Sequence, residues 1–136
     1  MDGDPCIAMA GADCEVRLTP LKIIEIHTDI IKDFGGEPGI RDPATIEYVV
    51  YRLNRSRSIF PKSAIALHGI ATGHPFIDGN KRTALVLAEN ILADEGFYLA
   101  ASEPEIVEFM LEVARYTRTE RSVQNWIKEK ARSKTA

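Results

Sequence analysis

The sequence predicts an all-α bundle of about six helices, and three observations carry that prediction. Apolar residues recur at three- and four-residue spacing along most of the chain. Strand-like alternation is nearly absent. Helix starts and stops, among them Thr19-Pro20, Gly35-Gly36, Asp42-Pro43 and a Ser102/Glu105 box, punctuate the periodic runs at helix-length intervals. With 136 residues, 45% of them hydrophobic, the chain suits one domain around one core.

The first helix opens at Thr19, which can cap it, with Pro20 tolerated in the first turn. Ile23, Ile24, His27, Ile30, Ile31 and Phe34 then repeat on one face until Gly35-Gly36 ends the run. Asp42-Pro43 opens a second helix with Ile46, Val49, Val50 and Leu53 facing inward. "RLNRSRSIFP", residues 52–61, breaks the pattern and reads as a loop or short extended piece. After Pro61 the stretch "KSAIALHGIAT" is small and apolar on most sides, as a central helix must be when its neighbours approach closely. A fourth helix is expected from about Gly79 to Ala93, ending at Gly96. Ala84, Leu85, Val86, Leu87, Ala88, Ile91 and Leu92 cover so much of its circumference that it too should be buried. Ser102 and Glu105 form a capping box for the fifth, "EPEIVEFMLEVARYT", and the sixth, after Thr119, turns Val123, Trp126 and Ile127 to the core. The third and fourth helices are thus the buried pair, joined by one short loop. Residues 1–16 read as a flexible N-terminal extension and 17–132 as the domain.

A net charge of -3 argues against a protein that coats nucleic acid or anionic lipid along its length, so neither partner is expected. The charge is unevenly spread. Between Glu47 and Glu89 the bases are Arg52, Arg55, Arg57, Lys62, Lys81 and Arg82 and the one acid is Asp78, which makes this either a solvated basic surface or the seat of an anion. Cys6 and Cys14 have no further Cys or nearby His to complete a metal set or a disulfide framework and read as free thiols. The start of the chain lacks the basic flank and apolar run of a signal peptide, and no window is long enough for a membrane span, so a cytoplasmic location is expected.

The chemistry is concentrated in "HPFIDGNKRTAL", His74 to Leu85. A helix N-terminus exposes unpaired N–H groups and about half a positive charge, which makes it an anion site. Gly79 and Asn80 sit where the fourth helix begins, glycine letting a ligand approach the backbone and Asn80 adding an amide. Lys81 and Arg82 in the first turn oppose the helix dipole at a cost of a few tenths of a kcal/mol each, a placement that makes sense if phosphates occupy the helix end. Asp78 offers one hard oxygen ligand, and magnesium is typically held by one or two carboxylates plus substrate phosphates. His74, four residues upstream, is placed to take a proton from an attacking hydroxyl, worth about 10²- to 10⁴-fold in rate. Each residue has a plainer role open to it: His74 as a helix-ending histidine, Asp78 as an N-cap, Lys81 and Arg82 as a solvated face. Together these roles leave unexplained why every polar group of the motif gathers at one helix end between two buried helices. A P-loop does not fit, because Gly73 and Gly79 enclose five residues, Asn80 intervenes before Lys81, and the preceding segment is helical. Phe76 is expected to insert into the core and pin the loop. His27 and His68 read as satisfied core histidines and stay outside the site.

"HPFIDGNKR" closely resembles the signature of the Fic/Doc superfamily, H-x-F-x-[DE]-[AG]-N-[GK]-R, and specifically its Doc (death-on-curing) branch, in which lysine replaces the second glycine. The flanks "IHTDIIKDFGGEPGIRDPATIEYVV" and "ALHGIATGHPFIDGNKRTALVLAENILADEGFYL" are similar too, and the likeness covers roughly residues 18–130. The resemblance implies a Fic/Doc-like bundle with His74 as catalytic base, Asp78 as the magnesium-binding acid, and Asn80, Lys81 and Arg82 as phosphate contacts. Phe76 matches the anchoring aromatic. Fic proteins transfer AMP from ATP to a hydroxyl, whereas Doc-type proteins transfer the γ-phosphate to a threonine of elongation factor Tu and arrest translation. A lysine at position 81 would fill and charge the space of the nucleotide's α-phosphate, so that ATP lies the other way round. Leu85 stands where the Fic pattern has a second arginine, which weakens AMP transfer. The segment between the second and third helices is shorter than in many relatives, where it holds a target-positioning flap. The inhibitory [ST]-x-x-x-E-[GN] motif is absent, since Glu89-Asn90 would need Ser or Thr at 85. Control by a separate antitoxin follows. The expected activity is therefore that of a Mg-ATP-dependent protein kinase toxin of a toxin–antitoxin pair. Its rivals are nucleotidyl transfer and a non-catalytic module that sequesters a partner protein.

Overall fold

Thr19 accepts a hydrogen bond on Oγ1 from the Lys22 N–H at 3.3 Å, and with Pro20 behind it starts α1, Pro20–Phe34. The computed structural model describes residues 18–134, so the N-terminal extension 1–16, with Cys6 and Cys14, lies outside the described residues. The buried stripe of α1 is Ile23, Ile26, His27 and Ile30. It includes Ile26, which the periodic reading passed over, and leaves out Phe34, which is 66% exposed beyond the end of the core. The Phe34 ring is covered instead by the Arg82 guanidinium, 4.1 Å from its centroid.

α2, Pro43–Arg55, buries Ile46, Val49, Val50 and Leu53 as the pattern requires. The expected loop over 52–61 shrinks to residues 56–58, because α2 continues through Arg55 and α3, Ile59–Gly73, begins before Pro61. The physical reasons are local. Pro61 falls in the first turn, where a missing N–H leaves no bond unmade. In the last turns of α2 the Arg52 guanidinium is held by both carboxylate oxygens of Glu120, at 2.6 and 2.9 Å.

α3 packs along α4, Asn80–Asp94, with α2 and the last two helices around them. Its inward face is Ser63 to Leu67, Ile70 and Ala71, and its glycines let α2 close in. A Cβ on Gly69 would stand 2.8 Å from Val49 Cγ2, and one on Gly73 would stand 2.6 Å from Thr45 Cγ2. α4 buries Thr83, Ala84, Leu87, Ala88, Ile91 and Leu92, while Leu85 and Val86 are only half-buried at its margin.

After α4 the chain forms a short strand, β1, Phe97–Leu99, and then α5, Glu103–Ala114. The capping box forms, Ser102 Oγ accepting from the Glu105 N–H and Glu105 Oε1 accepting from the Ser102 N–H. α5 stops at Ala114, three residues before the end its pattern suggests. α6, Glu120–Lys130, is capped by Thr119 and buries Val123 and Ile127, with Trp126 stacked on Phe109 at 3.9 Å. Strand β2, Ala131–Ser133, pairs antiparallel with β1, Phe97 opposite Ser133 and Leu99 opposite Ala131. Three residues per strand are too few to leave an alternation in the sequence, so this sheet was not foreseen. The buried side chains of the helices form one core cluster, and among the described residues no helix is long and apolar enough to cross a membrane.

Candidate active site

α3 ends because His74 takes left-handed backbone, φ 47 and ψ 54, with its N–H still donating to the Ile70 carbonyl. The loop from His74 to Gly79 is then closed from inside. Phe76 is fully buried, and its ring lies flat on that of His27, centroids 3.7 Å apart and 4° from parallel. His27 in turn donates from Nε2 to the Asp78 carbonyl at 2.7 Å, so this core histidine is satisfied and fixes the loop from α1. Asn80 reaches back across the loop: its Oδ1 accepts from the Phe76 N–H and its Nδ2 donates to the Phe76 carbonyl, both at 2.9 Å. Both polar atoms of the Asn80 amide are thereby engaged in holding Phe76. Gly79, φ 80, makes the turn into α4 in a left-handed conformation that residues with a side chain rarely adopt.

From outside, the loop is held by residues 36–42, a strap between α1 and α2. Ile40 and Phe76 form an antiparallel bridge, with the Ile77 N–H donating to the Gly39 carbonyl and the Arg41 and Asp42 N–H groups to the Pro75 carbonyl. The Arg41 guanidinium donates twice to the His74 carbonyl, at 3.1 and 2.7 Å. The Glu37 N–H donates to Asp78 Oδ2 at 3.2 Å and the Gly79 N–H to Oδ1 at 3.0 Å, so backbone amides fix the carboxylate on both oxygens. Gly36, φ 121, permits this approach; a Cβ there would come to 3.0 Å from Asp78 Oδ2.

The strap places His74, Asp78 and the start of α4 together. No side chain caps α4, and its N-cap is Gly79 rather than Asp78. Lys81 and Arg82 are exposed in its first turn. Burial lowers the His74 pKa below the ordinary histidine value, and the positive charges of Arg41 and Lys81 lower it further, all three favouring the neutral imidazole. The ring of Tyr116 stands edge-on to the imidazole, centroids 6.2 Å apart.

Asp78 suits a hard cation. Each oxygen accepts one N–H and keeps lone-pair capacity, and among the described residues no three His, Cys, Asp or Glu side chains converge to bind a metal unaided. An ion held by Asp78 would need its remaining ligands from elsewhere, as magnesium usually takes them from phosphate and water.

The structure thus gathers His74, Asp78, Gly79 and Lys81 at one helix end and buries Phe76 behind them. Arg82 lies in the same turn with its guanidinium over Phe34. Sequence reasoning missed the strap, His27's part in fixing the loop, and Tyr116. The strap had left a trace, since the glycines of "GGEPGIRDP" exceed what stopping a helix needs. Tyr116 had left none.

Residues 17–92, more than half of the chain and including the whole of the motif, match the Fic/DOC family. The chain is 33% identical over 104 residues to "Protein kinase doc" of Escherichia phage P1, covering 72% of this chain and 82% of that one. It is 35% identical over 75 residues to "Toxin Doc" of Mycolicibacterium smegmatis (strain ATCC 700084 / mc(2)155), covering 50% of this chain and 58% of the other. The chain belongs to the Fic/Doc family.

Proposed function

We propose that this protein is a Doc-like toxin that transfers the γ-phosphoryl group of Mg-ATP to a protein hydroxyl, with a threonine of elongation factor Tu as the target and arrest of translation as the result. The observation that carries the reading is the placement of His74 at the C-terminus of α3, beside the start of α4 with its Gly79 N-cap, where burial and then the charges of Arg41 and Lys81 favour the neutral imidazole. His74 takes the proton of the acceptor hydroxyl as the new oxygen–phosphorus bond forms and the bond to the β-phosphate oxygen breaks, releasing ADP. The free N–H groups of α4, with Lys81 and Arg82, bind the triphosphate and stabilise charge on the transferring group. Asp78 would hold the magnesium, which would supply charge neutralisation at the phosphates. Asn80 acts by keeping Phe76, and with it the loop, in shape.

Lysine at position 81, where AMP-transferring relatives have glycine, and Leu85 in place of a second arginine favour phosphoryl over nucleotidyl transfer. A cognate antitoxin made as a separate protein restrains the toxin. The test uses purified chain and elongation factor Tu with ATP labelled at either the γ or the α position. Label from the γ position, lost in His74→Ala while ATP still binds, is the expected result. Label arriving from the α position alone overturns the kinase assignment, and toxicity undiminished in His74→Ala overturns catalysis in favour of partner sequestration.

A further inference from the structure

Among the described residues, the non-glycine residues with positive φ are His74, at 47°, and Tyr116, at 64°. They lie far apart in sequence, and their rings meet. Tyr116 sits at the end of α5 in a motif usually built around glycine: its N–H donates to the Val113 carbonyl and the Thr117 N–H to the Glu112 carbonyl, closing the helix with one left-handed residue between them. Glycine makes that turn without strain, whereas an aromatic side chain adopts it at a cost. Core burial does not offset the cost, because Tyr116 is 65% exposed. What the turn achieves is reach. It carries the tyrosine across to the end of α3, where its hydroxyl donates to the Thr72 carbonyl at 3.1 Å and its ring stands at 71° to the imidazole.

We infer that Tyr116 is a positioning residue for His74, fencing the imidazole into one orientation with the edge-on ring. The groups facing the imidazole are then Arg41 from the strap, Lys81 from α4 and Tyr116 from α5, with the two cations and burial acting on its charge and the phenol ring on its orientation and solvation. A ring standing edge-on to a half-buried imidazole keeps water from part of it, which acts in the same direction as burial on its charge. The kinetic consequence rests on the phosphotransfer reading; the structural claim does not.

The experiment follows the His74 ring C–H resonance against pH in the full-length, ligand-free protein, in wild type, Tyr116→Asn and Tyr116→Phe. Asparagine tolerates left-handed backbone, so Tyr116→Asn keeps the turn and removes the ring, while Tyr116→Phe keeps the ring and removes the hydroxyl. The expected result is a His74 resonance that loses its ring-current shift and titrates at higher pH in Tyr116→Asn but stays near wild type in Tyr116→Phe. In the transfer assay, Tyr116→Asn should lower kcat about 10-fold, a fraction of what a general base contributes, with KM for ATP unchanged. A His74 resonance and midpoint in Tyr116→Asn that coincide with wild type overturn the inference. If the wild-type chain transfers no label at all, it is the phosphotransfer reading that fails, and the resonance still decides the role of Tyr116.

Discussion

A histidine that accepts a proton in catalysis has to be unprotonated near neutral pH, and at His74 burial, Arg41 and Lys81 all act in that direction. The acid limb of the pH–rate profile should therefore fall below the ordinary histidine value of about 6.5. Salt separates the causes, because it screens the exposed cations and leaves burial untouched. Raising the ionic strength should move the limb partway up towards the ordinary value, and a limb already at that value in low salt would contradict the environment described here. Asn80 makes the complementary case, since its residue type was legible in the motif while the use of its amide was not. Its Oδ1 and one N–H of its Nδ2 hold the loop, and only the fold reveals that the Phe76 N–H and carbonyl need a partner four residues on. Asn80→Ala leaves both groups short of a bond, and should lower the unfolding free energy by about 1–3 kcal/mol in chemical denaturation.

Elements were read well where one helix carried its own signals. Caps at Thr19 and Ser102 and the inward stripe of α2 stood in the sequence and formed as expected. Readings failed where a second element decided the outcome. The pairing of Arg52 depends on Glu120 in α6, the end of α5 on a left-handed tyrosine, and the strap on backbone bonds that carry no side-chain pattern. The small residues of α3 lie between these cases, since their composition announced close neighbours without saying which. Gly69 meets Val49, a β-branched side chain on a helix, with one strongly preferred rotamer and little room to turn aside. Gly69→Ala should therefore destabilise the protein by about 1–3 kcal/mol through overpacking, despite the better helix propensity of alanine. An unchanged denaturation midpoint would mean that α2 can retreat from α3 at no cost. Gly36→Ala tests the strap, because the new methyl meets the Asp78 carboxylate and the positive φ adds strain. Under the proposed function it should weaken magnesium-dependent activity more than it lowers thermal stability.

At the scale of the whole molecule, acid should loosen this fold in two separable steps. The first belongs to His74. Its pKa is lower folded than unfolded, so as pH falls from about 6.5 the unfolded chain takes up the proton first and stability drops until the folded value is passed. The second belongs to the carboxylates that tie the periphery to the core. The Arg52 hydrogen bond lowers the pKa of Glu120, which fastens α6 to α2, and the Ser102 N–H, followed by Lys130, lowers that of Glu105 at the start of α5. A lowered carboxylate pKa contributes stability that is whole above the unfolded value of about 4.3 and is lost as pH falls through the folded one. Thermal midpoints measured from pH 8 to 3 should hence decline once in the histidine range and again below about 4.3. His74→Ala should erase the earlier decline alone. Glu120→Gln, which cannot titrate, should shrink only the later one, at a stability cost at neutral pH of roughly 1 kcal/mol or less because the pair is partly exposed. Superimposable curves for Glu120→Gln and wild type would show that α6 is held by its buried Val123 and Ile127 and that the ion pair joining it to α2 contributes nothing to the fold.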